Sequence, residues 1–100
     1  MDKDEIAQLL KPHREKIDRL DDQIIDLLAE RLEVIRDVSV IKQENHIEPV
    51  LQERVDEVRD RCVERGITKG YDPNFMHSLY TLIINYSCDV EQKYQDDHIK

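Results

Sequence analysis

Arg14, Arg31 and Lys42 stand on or beside an apolar stripe that reads Ile17, Leu20, Ile24, Leu27/Leu28, Val34/Ile35, Val38 and Ile41. The three-and-four spacing is that of one face of an amphipathic helix. A cation on a face that must be buried costs free energy unless something anionic meets it. The chemistry these residues suggest is the capture of a small anion. The 11 residues from Arg31 to Lys42 amount to a helical rotation of about 20° and a rise of about 16 Å. Two long side chains leaning together can grip one small molecule across that gap. Arg14 lies about 25 Å along the axis from Arg31, out of reach of the same ligand. In this reading it serves the site of a second copy of the chain, so a dimer carries two equivalent sites, each borrowing an arginine. The competing reading pairs these cations with carboxylates such as Glu30 or Asp37, or lets them snorkel to solvent.

Other candidates lie further along. Arg54 adjoins the apolar face of a second helix, and Ser87 and Glu91, spaced i, i+4, continue the side of a third that begins at Ile83. Each has a plainer alternative. Arg54 sits in the charge run from Glu53 to Arg65 and can be solvated; Ser87 can bond back to its own helix; Glu91 can face water. His13, His46, His77 and His98 show no ligand spacing, and there is no glycine-rich phosphate loop, nucleophile elbow or metal cluster. Neither metal nor cofactor is expected. Cys62 and Cys88 read as two reduced structural thiols.

The elements that must position these residues are three helices. The first is expected to start near Pro12, with residues 2–10 as a turn or kinked extension, and to fade around Gln43–His46. Over residues 12–45 it would be about 50 Å long, against a radius of gyration of about 13 Å for a compact domain of this size. Its stripe needs more cover than the rest of one chain can supply, which points to a homodimer with paired long helices. A second helix runs from about Val50 to Arg65, with Leu51, Val55, Val58 and Cys62 inward and Gly66 as its stop. The third opens with Asp72 as N-cap and Pro73 at the first position. Its stripe is Phe75/Met76, Leu79, Leu82/Ile83, Tyr86 and Val90, and its tail frays from Gln95. No strand alternation or internal repeat is seen. The expected fold is all-α, one long and two shorter helices per chain, as a single domain over residues 1–100 in an intertwined homodimer.

Composition narrows the partners. The chain has 100 residues, 38% of them charged and a net charge of −8, which argues against nucleic acid and anionic membranes. No apolar run approaches the ~20 residues of a membrane span. The acidic start lacks the core of a signal peptide, so a cytoplasmic protein is expected.

Taken together, "REKIDRLDDQIIDLLAERLEV" (14–34), Lys42, "ER" at 53–54, the Gly66 turn, Asp72 and "LIINYSCDVEQ" (82–92) resemble the all-α chorismate mutases, the three-helix intertwined dimers of aromatic amino acid synthesis. The resemblance covers nearly the whole chain. It implies that Arg31 binds a substrate carboxylate and that Arg14 reaches the neighbouring subunit's site to do the same. Lys42 would donate to the ether oxygen of the breaking bond, Arg54 would support the anionic end, and Ser87 would contact a carboxylate. The implied reaction is the [3,3] rearrangement of chorismate to prephenate. The substrate, a dianion, is held folded, while negative charge grows on the ether oxygen and is met by fixed donors.

Two positions depart from the family pattern. Glu91 stands where many members have a glutamine that donates to the ether oxygen. Ionised, it opposes the developing charge; protonated, it can donate, so turnover should fall as pH rises. A one-residue slip of the third helix would bring Gln92 inward instead. Val55 stands where the family commonly has a glutamate that binds the ring hydroxyl, and relatives that eliminate pyruvate from isochorismate also carry "ERV" here. The 12-residue spacing from Lys42 to Arg54 and Ser87 favour the mutase. An isochorismate pyruvate lyase is the runner-up, and a mutase of 4-amino-4-deoxychorismate comes third. A non-catalytic helical dimerisation module is the rival from another class. It would pair the same cations with surface carboxylates and bind no dianion.

Overall fold

The computed structural model of the chain describes residues 1–99. They form three helices, α1 Lys3–Glu44, α2 Gln52–Thr68 and α3 Pro73–Asp97. Among the described residues there is no strand, and no helix is long and apolar enough to cross a membrane. The all-α architecture of one long and two shorter helices is as expected; the boundaries differ in ways that have physical causes.

α1 begins at Lys3 rather than near Pro12, which lies inside it. Asp2 Oδ1 accepts the Glu5 backbone N–H at 2.8 Å, and acidic Asp4 and Glu5 occupy the first turn, where the helix dipole favours them. The Asp2-x-x-Glu5 pattern is the true start signal. A proline deprives the helix of one N–H, here the partner of the Gln8 carbonyl, without forbidding it. The other end closes when His46 turns into the left-handed region at φ 56°. The His46 N–H then reaches Gln43 O at 3.4 Å and the Ile47 N–H reaches Lys42 O at 2.8 Å. This paired closure satisfies the last helical carbonyls, at a residue type that tolerates the conformation better than most.

α2 starts at Gln52, two residues later than expected, and Leu51 is exposed rather than inward. The helix passes through Gly66 and ends at Thr68. Gly66 is buried because Met76 of α3 occupies the space where its side chain would be: an added Cβ would fall 2.7 Å from Met76 Sδ. The stop is Gly70 at φ 90°, whose N–H bonds Ile67 O at 3.0 Å while that of Tyr71 bonds Gly66 O at 3.1 Å. α3 opens as expected, with Asp72 Oδ1 accepting from Asn74 N at 2.7 Å and Phe75 N at 3.4 Å.

The chain divides into two compact units, Met1–Glu33 and Val34–Lys100. In the first, which is the larger part of α1 with its cap, the apolar stripe is open: Ile17, Leu20, Ile24 and Leu27 are about half exposed or more. In the second, α2 packs on α3 around the buried Cys62, Met76 and Ile84. The inward line of α3 is Met76, Ile84, Ser87 and Glu91. Phe75, Leu79, Leu82 and Tyr86, expected in the stripe, are exposed in the single chain. Nor does the α3 tail fray at Gln95. Its Nε2 donates to Ile47 O at 2.6 Å, and Gln43 Nε2 donates to His98 O at 2.9 Å, tying the tail to the turn after α1.

Candidate active site

Lys42 occupies the last turn of α1. The closure at His46 brings the following segment back, so that Lys42 Nζ donates to Pro49 O at 2.9 Å. From α3, Glu91 places Oε1 2.8 Å from the same Nζ, with the two side chains 15% and 8% exposed. The contact is an ion pair rather than an aligned hydrogen bond, since Glu91 Oε1 has no hydrogen-bond partner. Burying two charges this way costs much of what their attraction returns, so the pair is weak evidence for a stabilising role and better evidence for a working one. An ammonium has three donors; Pro49 O takes one, which leaves donors for a ligand oxygen.

Ser87 lies one turn before Glu91 and is buried, its Oγ–H donating to Ile83 O at 3.1 Å. The helical register turns Glu91 inward and leaves Gln92 exposed, bonded to Asp96 at 3.0 Å. Ser39, which the sequence reading passed over, is the most buried of the described polar side chains. It bonds Ile35 O at 2.8 Å, one turn before Lys42. The three-residue step from Ser39 to Lys42, beside the four-residue step from Ser87 to Glu91 on α3, was the available signal.

Val55 lines a groove of about 340 Å³ between α2 and α3, with Ile84 and Cys88 as further apolar lining and Gln52, Arg59 and Asn85 as polar lining. Arg59 and Asn85 were also passed over. Arg59 lies four residues after Val55 and so on its face of α2. Arg54 is on the exposed side of α2, paired with Glu57. A larger groove of about 400 Å³ between the end of α1 and α3 is lined by Arg36, Ser39, Val90 and Tyr94 among others. It contains none of the residues picked from the sequence.

The remaining candidates belong to the first unit. Arg31 is half-buried. Arg14 is exposed and borders a shallow groove with Lys11, Glu15 and Asp18. Cys62 and Cys88 are not in a disulfide, and among the described residues no group of side chains could hold a metal ion.

Residues 13–92 match the family model described as chorismate mutase type II. Among curated proteins the chain is similar to a 4-amino-4-deoxychorismate mutase of Streptomyces venezuelae, 28% identical over 78% of this chain and 76% of that protein. It is also similar to a chorismate mutase of Methanocaldococcus jannaschii, 27% identical over 84% of this chain and 85% of that one. With most of its length matched, the chain belongs to the chorismate mutase type II family.

Proposed function

We propose that the protein is a cytoplasmic, cofactor-independent isomerase that converts chorismate to prephenate. The observation that carries this reading is the buried Lys42–Glu91 pair, a donor and a titratable carboxyl set where charge must be managed without water. The substrate is a dianion. Arg31 takes one carboxylate, Arg14 of a partner subunit takes the other, and Ser87 and Arg54 assist at the anionic end. Lys42 then donates to the ether oxygen as the C–O bond lengthens, where a fixed donor is worth more in the transition state than in the ground state. Glu91 helps only when protonated, since its carboxylate would repel the charge growing beside it. A homodimer follows from the same reading, and the exposed stripe of α1 supports it.

A second reading, pyruvate elimination from isochorismate, is favoured by Val55, whose apolar side chain offers no acceptor to the hydroxyl of chorismate. Incubating the purified protein with each compound from acidic to neutral pH separates the two. Prephenate from chorismate is the expected result. Pyruvate and salicylate from isochorismate would install the lyase instead. Inertness toward both would leave a helical dimerisation module.

A further inference from the structure

The segment between α1 and α2 is held at one carbonyl by the third helix, and that carbonyl governs what surrounds Lys42. Ile47 is pinned on both sides. Its N–H bonds Lys42 O at 2.8 Å, and its carbonyl accepts from Gln95 Nε2 at 2.6 Å. Two residues on, Pro49 O accepts from Lys42 Nζ at 2.9 Å. The link between the two carbonyls is stiff. A residue before proline, here Glu48, is confined to extended backbone, and the ring of Pro49 fixes its own φ. Where Ile47 O sits therefore decides where Pro49 O points. Gln95 stands one turn beyond Glu91 on α3. One helix thus supplies both the carboxyl paired with Lys42 and the amide that holds the loop around it. A second tie, from Gln43 Nε2 to His98 O at 2.9 Å, keeps the end of α3 in place without touching Ile47 or Pro49.

We propose that Gln95 is a positioning residue: through Ile47 O and the Glu48–Pro49 link it holds Pro49 O where that carbonyl fixes the direction of the Lys42 ammonium. The inference rests on the mutase reading for what Lys42 does once it is aimed. A lysine side chain is long and rotamer-rich, and ordering it during the reaction raises the barrier. A donor already directed at the ether oxygen avoids that cost. Pro49 O gives the ammonium one fixed point and Glu91 gives it another. Without the Gln95 amide, Ile47 keeps only its N–H bond, and the Pro49 carbonyl is released to turn away.

The test uses Gln95→Met, which keeps the length of the side chain and suits a helix while removing the donor. Gln43→Met is the control, because it cuts the other tie to α3. Circular dichroism checks both folds. With chorismate, Gln95→Met should lower kcat by about tenfold, the share one hydrogen bond can supply, and leave KM within about twofold. In a Lys42→Ala background the same change should lower kcat no further. A second readout is independent of turnover. The protons on the Lys42 nitrogen, identified by NMR through their loss in Lys42→Ala, should exchange with water about tenfold faster in Gln95→Met and at the wild-type rate in Gln43→Met. An equal fall in kcat with and without Lys42, the same fall in Gln43→Met, or unaltered exchange in Gln95→Met overturns the proposal. If the wild type leaves chorismate unchanged, the mutase reading fails by itself, and the exchange comparison alone decides whether Gln95 holds Lys42.

Discussion

Lys42 and Glu91 hold each other in a buried contact that an anionic ligand must rearrange. In the free protein the carboxylate balances the ammonium. With a dianion bound, the same carboxylate becomes a third negative charge near one lysine, and it opposes the charge that grows on the ether oxygen. Glu91→Gln replaces it with a neutral amide that donates and should raise kcat/KM by about tenfold or more. Lys42→Ala should lower kcat/KM by about 10²–10³-fold. An unchanged kcat/KM in Glu91→Gln would take Glu91 out of the chemistry. Lys42 could be picked out beside the apolar stripe of α1, and Ser87 and Glu91 by their i, i+4 spacing on α3; only the family resemblance joined them in one site. The role of Pro49 O was not legible, since it depends on how the chain reverses after His46. Arg59 and Asn85 were hidden for a similar reason, as they line one groove only once α2 has packed on α3.

At the scale of elements, the three helices and the cap of α3 could be read directly, while one start and one stop were misjudged. Each misjudgement has a residue behind it. Pro12 looks like a beginning, yet the Asp2 cap starts the helix earlier. Gly66 looks like an end, yet its lack of a side chain serves Met76, and Gly70 supplies the left-handed turn. α3 carries two apolar lines, and Phe75, Leu79, Leu82 and Tyr86 form the one that stays open in one chain. Two glycines with two different jobs should respond differently to alanine. In Gly66→Ala the new methyl collides with Met76, an overpacking that typically costs about 1–3 kcal/mol, less about 1 kcal/mol regained in helix propensity. Truncating Met76 should erase that collision. Gly70→Ala meets no atom within 4 Å, so its cost of about 1–2 kcal/mol is backbone strain alone and should be the same with or without Met76→Ala. Denaturation of the three single and two double variants at one protein concentration checks this. Coupling to Met76 at position 70, or none at position 66, would refute the assignment.

For the whole molecule, the unanswered feature of the single chain is its open apolar surface. The stripe on the first unit, Ile17 through Leu28, and the line on α3 are both exposed, more apolar surface than a soluble monomer tolerates well. A second copy is the occupant that also completes the chemistry, because Arg14 in the proposed mechanism works in the neighbour's site. Complementation between two defective proteins tests both claims together. Arg14→Ala and Arg31→Ala should each be nearly inactive as homodimers, since every site lacks one arginine. After unfolding and refolding as an equal mixture, half of the dimers pair one chain of each kind. In those, one site loses both arginines and the other keeps both. Activity should then recover to about a quarter of wild type, the value set by random pairing of two-fold dimers. Refolding each variant alone should restore nothing. A mixture as inactive as its parts would mean that Arg14 serves its own chain or no site at all, and sedimentation as a monomer would remove the partner on which the borrowed arginine depends.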